Sequence, residues 1–319
     1  EMCIRDSGSA DELMQRWQTI CREHFEDGGT SPTWGRRTSY SALVRGIVDA
    51  FEALPLRDEP RKPRVGVLGE ILVQFHPDAN NHIVEVIESE GCEAVLPGLM
   101  WFVHNALTSG DYNWKTFGTE KWKRFLKKGF LAVLQQYQKP VDAALGTSQR
   151  FEVPTHISRI VEEAQQIVQL GNQSGEGWYL VGEMIDMIEE GVPNICVVQP
   201  FACLPNHVTG RGIFREIRRQ YPHANVASID YDPGASQVNQ LNRIKLMAAT
   251  ARDRHEELTN VEQGAPIRGE HVAGGGSATN GPGAASGTPG GDQDGSEHAG
   301  MAGAVDLKDA RGAVSLGVM

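Results

Sequence analysis

Two hydrophobic periods alternate along the chain. Across residues 10–25 and 39–54, apolar side chains recur every three or four positions, which predicts two amphipathic helices. Asp58 to Arg64 breaks the pattern with prolines and charges and reads as a linker. Arg64-Val-Gly-Val-Leu-Gly-Glu70 is then a short apolar run with β-branched residues, the mark of a strand buried on both faces. His76-Pro77-Asp78 predicts the opening of a helix, with Pro77 in its first turn. Val84, Val86 and Ile87 belong to that helix, and Gly91 stops it. Glu93-Ala-Val-Leu-Pro97 predicts a second strand and completes a βαβ unit.

Residues 99–145 carry a helical pattern rich in aromatics and read as an insertion, extending to about residue 175. Within 152–170, Val153, Ile157, Ile160, Val161, Ala164 and Val168 fall on one helical face. Trp178 to Glu190 predicts another helix, ended by Gly191, and Asn194 to Gln199 a third strand. A helix over Thr209 to Gln220 and a fourth strand over Asn225 to Asp230 follow. Asp232-Pro233 caps and starts a last helix reaching about residue 254. Strands that alternate with helices imply an α/β fold with a mostly parallel, Rossmann-like sheet. The expected layout is a helical segment at 8–60 belonging to an upstream domain, the α/β domain at 61–258 and a tail at 259–319.

Composition sharpens the two ends. Residues 264–319 hold 15 of the 36 glycines, and no aromatic residue follows Tyr231, so the tail is expected to be disordered. The opening Glu-Met-Cys-Ile-Arg-Asp-Ser is the peptide that a sequencing-library transposon adapter encodes in one frame, and residues 1–7 are expected to be that artefact. A formal net charge of −11 disfavours nucleic acid as a partner. No run of 18 apolar residues predicts a membrane span, and no secretory signal pattern opens the chain. The five cysteines, Cys3, Cys21, Cys92, Cys196 and Cys203, are irregularly spaced and include no CxxC pair, which fits a reducing cytoplasm better than a disulfide framework.

Parallel sheets gather chemistry beyond the carboxyl ends of their strands. Here those ends bring Glu70, Cys203 and Asp232 to one edge. Cys203 lies between a strand and a helix start, where the helix N-terminus favours thiolate, in a loop stiffened by Pro200 and Pro205. The residue reads either as a metal ligand or as a small buried loop residue. Cys196 belongs to the apolar strand and Cys92 follows a helix stop, both inert readings, while Cys21 on a helix stays ambiguous. Glu70 either positions a substrate or caps the next helix. His76, His82 and His207 lack metal-ligand spacing and read as caps or polar contacts. Arg211, beside the cysteine loop, can face an anion there. Trp114 to Lys128 interleaves aromatic and basic residues. Its lysines could meet CoA phosphates or an acidic partner, but the favoured expectation packs the aromatics inward and leaves the lysines solvated. No Walker loop, G-x-G-x-x-G or G-x-S-x-G occurs, which disfavours a nucleotide-binding dehydrogenase.

Three blocks carry a resemblance: Arg64-Val-Gly-Val-Leu-Gly-Glu-Ile-Leu-Val-Gln-Phe-His-Pro77 with Asn80-Asn81, Val198-Gln-Pro-Phe-Ala-Cys-Leu-Pro-Asn-His-Val208, and Ile229-Asp-Tyr-Asp-Pro-Gly-Ala-Ser236 with Asn239 to Lys245. Over about residues 30–250 the chain resembles the large CoA-substrate-specific activases related to 2-hydroxyglutaryl-CoA dehydratase. The resemblance implies an iron–sulfur protein, with a 4Fe–4S cluster completed by cysteines outside this chain, in ATP-driven electron transfer for 2-hydroxyacyl-CoA dehydration. Its implied partners are upstream activator domains, where ATP would bind, and an acyl-CoA dehydratase. It makes Cys203 the single cluster ligand here and places Asn206 and His207 in the same motif. Glu70, Asn206, His207 and Arg211 form the expected cofactor-binding set. The ATPase domains and upstream cysteine motifs are absent from these 319 residues, so the chain alone is expected to be inactive. The rival expectation is a docking module for a dehydratase, without a cluster of its own.

Overall fold

A computed structural model describes residues 3–31, 36–119, 121–232, 234 and 236–262. Residues 259–262 of the expected tail belong to the last helix; the rest of the tail, from residue 263, and Pro233 lie outside the described residues. Helix α1 (Ser9–Glu26) is followed by a short antiparallel ladder of β1 (Thr30–Ser31) and β2 (Arg36–Arg37), then by α2 (Tyr40–Glu52). Trp17 and Ile20 of α1 bury against Leu43 of α2. The α/β core is β3 (Arg64–Gly69), α3 (Ile71–Phe75), α4 (Ile83–Ser89), β4 (Glu93–Val95), four more helices, β5, α9 and β6. Those four helices are α5 (Met100–Phe117), α6 (Lys121–Leu145), α7 (Ile157–Ala164) and α8 (Trp178–Glu189). β5 spans Asn194–Pro200, α9 Phe214–Gln220, β6 Asn225–Tyr231 and the last helix, α10, Gln237–Glu262.

The sheet is wholly parallel, in the order β4-β3-β5-β6. The side-chain period of two sends Val65, Val67, Cys196, Val198 and Ile229 to one face, where α4 and α10 cover them. Leu68, Ile195, Val197 and Val226 point to the other face, under α8 and α9. Gly66 lets α8 settle on the sheet, since a Cβ there would lie 2.6 Å from the Met187 sulfur. The order reverses direction between β3 and β5, so their carboxyl ends form the switch point of the sheet.

Several boundaries differ from expectation. The apolar run does not simply end at Glu70; it continues as α3, because Gly69 turns the chain at φ 149° and the Glu70 carboxylate accepts from Val73 N at 3.0 Å. No α-helix starts at His76. A 3-10 turn occupies Pro77–Ala79, and buried Asn80 donates to Val73 O and accepts from Ile83 N, which delays α4 to Ile83. Within 152–170 only Ile157–Ala164 is α-helical. Asp232 does not start the last helix: its Oδ1 accepts from Gly234 N, closing a local turn, and α10 begins at Gln237 and runs past residue 254.

The α5–α6 hairpin overturns half of the expected packing of Trp114 to Lys128: Lys115, Lys121, Lys123 and Lys128 are exposed as expected, but Phe117, Trp122 and Phe125 do not turn inward. Trp122 is 83% exposed and Phe125 71%. Polar groups occupy the inner seam instead: Arg124 Nε donates to Asp111 Oδ1 at 2.6 Å, and Lys127 Nζ donates to Ala106 O at 3.1 Å. With the long cationic stems bound across α5, the aromatic side chains of α6 face outward.

Candidate functional site

The switch point is built from the ends of β3, β5 and β6 and from the loop before α8. Gly69 approaches β5 so closely that a Cβ would lie 1.8 Å from Val198 O. Its N–H donates to Oε1 of buried Gln74 at 3.1 Å, and Glu70 N donates to Val198 O at 3.0 Å. Across this turn sits Glu176, only 4% exposed, whose Oε1 accepts from Ile71 N at 3.3 Å. Burial pushes the Glu176 carboxyl above its ordinary pKa.

β5 leads into the cysteine loop. Phe201 N donates to Tyr231 O at 3.1 Å, tying the loop to the end of β6. Ala202 stands at φ 60°, a conformation that non-glycine residues adopt at a cost, next to Cys203. Cys203 N donates to Pro200 O at 3.2 Å, and Cys203 O accepts from His207 N at 3.0 Å and from His207 Nδ1 at 2.8 Å. A carbonyl can only accept, so Nδ1 carries the His207 proton and Nε2 is left as the acceptor. That nitrogen lies 3.4 Å from Gln199 Nε2 and 3.7 Å from Asp230 Oδ1. Gln199 Nε2 donates to Asp230 Oδ1 at 2.7 Å, and Arg211 Nη1 reaches Asp230 Oδ2 at 3.9 Å. The helical path resumes at Leu204 and passes through a π turn at Asn206–Gly210, a distortion that gathers at functional sites.

The fold therefore brings Glu70, Cys203, Asn206, His207 and Arg211 to one sheet edge, in different states. Glu70 is engaged as the α3 cap through Oε2. Asn206 is fully buried beside Glu176, whose charged form its amide favours, yet neither polar atom of that amide makes a bond of good geometry, and Gln199 Oε1 has no partner. Unpaired polar atoms at such depth are costly and are expected to meet water or a ligand. Asp232 stays at the edge but is spent on its own turn. His76 and His82 lie away in the 3-10 turn and before α4, where His82 Nδ1 pairs with Glu85 at 2.9 Å. Sequence reasoning missed Gln199, Gln74 and Glu176. For Glu176 a signal existed: an acid between two glycines, ahead of a strongly apolar helix.

The other cysteines are elsewhere. Cys196 is wholly buried in β5, where burial pushes its thiol up to about 12. Cys92 is buried with its Sγ 3.6 Å from Ala248 O, and all five cysteines are free thiols. Among the described residues no group of three His, Cys, Asp or Glu side chains could hold a metal ion. Four thiolates are the usual complement of a 4Fe–4S cluster, so these residues do not fit a whole cluster; this edge supplies one thiol, that of Cys203. Compared with protein-family models, curated proteins and solved structures, the chain matches none. What fold and edge define together is a doubly wound α/β domain with a cluster of polar side chains at its switch point. Among the described residues no helix is long and apolar enough to cross a membrane.

Proposed function

We propose that this chain is a component of an activase-like iron–sulfur protein serving 2-hydroxyacyl-CoA dehydration, and that it contributes one cluster ligand, Cys203. The observation carrying this reading is the state of Cys203. It is half-buried at the switch point, while Cys92 and Cys196 are enclosed in the core and the equally half-buried Cys3 and Cys21 lie before and on α1, off the sheet. Three hydrogen bonds hold its backbone, so the thiol is presented from a fixed frame. The motif resemblance supports the same residue. The remaining thiolates would come from outside the chain, and His207, Gln199 and Asp230 would keep the loop in place.

The test is anaerobic reconstitution with iron and sulfide of the protein joined to its cysteine-bearing partner segment, for the unaltered chain and for Cys203→Ser. Iron content should fall in Cys203→Ser with the circular dichroism unchanged. Equal iron in both removes Cys203 from the site. A second reading, a docking module without a cluster, is favoured by the loop's apolar rim, where Phe201 is 68% and Leu204 72% exposed. Under that reading the partner binds with equal affinity to Cys203→Ser and weakly to Phe201→Asp.

A further inference from the structure

We infer that the outer face of α6 is a self-association surface, on which a second copy of this chain docks antiparallel with the two helices crossing near Gly129. Six side chains on this face are exposed: Trp122 83%, Phe125 71%, Leu126 75%, Phe130 52%, Val133 52% and, at the end of the stripe where its ring also meets Tyr40 of α2 edge-on, Tyr137 63%. At about 100° per residue they form one continuous stripe about 140° wide. Their exposed area comes to roughly 700 Å² per copy at ~200 Å² for a whole aromatic side chain, close to the ~800 Å² per partner of a standard interface. A stripe of that size left in water is a signal for a partner.

Gly129 points to a helix as the partner. It lies inside the stripe in the middle of α6, and a Cβ there would meet nothing within 4 Å. No neighbour in the fold requires a glycine, although one costs about 1 kcal/mol in a helix interior relative to alanine. A backbone crossing at that point gives the missing side chain a use, as small residues do wherever helices approach closely.

The charge pattern selects a second copy in antiparallel orientation. The cations of α6 cluster at its N-terminal end, at Lys121, Lys123, Arg124, Lys127 and Lys128, whereas Ala132 to Gln138 carries no charge. An antiparallel pair centred on Gly129 sets each basic end against the other copy's uncharged half. Phe125 of one copy then meets Val133 of the other, and Trp122 meets Gln136 and Tyr137. A parallel pair would stack the lysines on each other. Several of these cations are also held back on α5, Arg124 and Lys128 by Asp111 and Lys127 by Ala106 O, which leaves the apolar stripe clear between them.

The experiment is sedimentation equilibrium of the whole chain from sub-micromolar to tens of micromolar concentration. The unaltered chain should dimerise, and Phe125→Glu with Leu126→Lys should weaken the dimer at least about tenfold while circular dichroism stays unchanged. Gly129→Cys should cross-link into a covalent dimer on mild oxidation, well beyond the unsubstituted chain with its own cysteines. A monomer at every concentration, or a dimer indifferent to the double substitution, overturns the proposal. Cross-linking of Gly129→Cys no greater than that of the unsubstituted chain overturns the crossing point. A monomer that pellets with phosphatidylserine vesicles assigns the face to a bilayer instead.

Discussion

Gly69 packs β3 against the end of β5 at the switch point, and its position allows no other residue without rearrangement. The φ of 149° is one that side chains with a Cβ rarely adopt, and the Cβ itself would overlap the Val198 carbonyl at 1.8 Å. Gly69→Ala must break the Glu70 N to Val198 O bond or push β5 away, so it should destabilise the fold by at least about 3 kcal/mol. Urea titration checks this, and a loss below about 1 kcal/mol would mean that the strand ends relax freely. At this scale the sequence signal was uneven. The place of Cys203 at the sheet edge was legible because a strand end, two prolines and a helix start flank it, whereas His207 read from the residues alone only as a cap or polar contact. The double nature of Glu70, cap or substrate group, could be resolved only once α3 existed to be capped. Gln199 was hidden inside an apolar run, where one polar residue gives no periodic signal.

At the scale of elements, α8 shows what hydrophobic periodicity leaves out. Its boundaries were readable from Trp178 and Gly191, yet the helix buries carboxyls that a pattern of apolar positions cannot report. Burial pushes Glu183 up to about 8 and Asp186 up to about 6, and Glu163 on the adjacent α7 up to about 7. Tyr179 OH donates to Glu183 Oε1 at 2.6 Å and opposes that shift in part. Each of the three carboxyls holds its proton in the folded chain at a pH where an unfolded chain releases it. Their contribution to stability is therefore fully present below the ordinary carboxyl range and is lost as pH rises through 6 to 8. Glu216, held down to about 2 by Arg219, acts in the opposite sense and only at acid pH. Melting temperature should thus fall from pH 5 to pH 8.5, and Glu183→Gln should flatten that slope and exceed the unaltered protein at the alkaline end. A melting temperature that climbs across this range would show that these carboxyls ionise without penalty. The outward aromatics of α6 were misjudged for a related reason. Both faces of that helix carry apolar matter, and the pairing of Asp111 with Arg124 and Lys128, together with Lys127 bound to Ala106 O and Ser109, turns the cationic face inward.

Over the whole molecule, the parallel sheet follows from mostly apolar strands joined by helices, which is why the fold class was legible, while the strand order β4-β3-β5-β6 and the polar side chains at the switch point were not. The same architecture predicts how stability is distributed. β5 is paired on both sides, by β3 and β6, and its residues Asn194 to Gln199 are all buried. Their amides can exchange with solvent only when the sheet comes apart. α6 rests on α5 and, near its C-terminal end, on α2, where Ala144 packs with Val44 and Val48. Its N-terminal half is exposed on one face and joined to α5 mainly through polar pairs, so it should open locally. Hydrogen exchange followed by mass spectrometry should find Ile195 to Val198 protected to the global limit and Lys121 to Gly129 exchanging orders of magnitude faster in dilute protein. Raising the protein concentration should slow the second group and leave the first untouched, because only α6 gains a cover when two copies meet. Equal protection of the two segments in dilute solution would show that α6 is bound into the core's cooperative unit. Exchange in α6 that ignores concentration would separate its exposed aromatics from self-association.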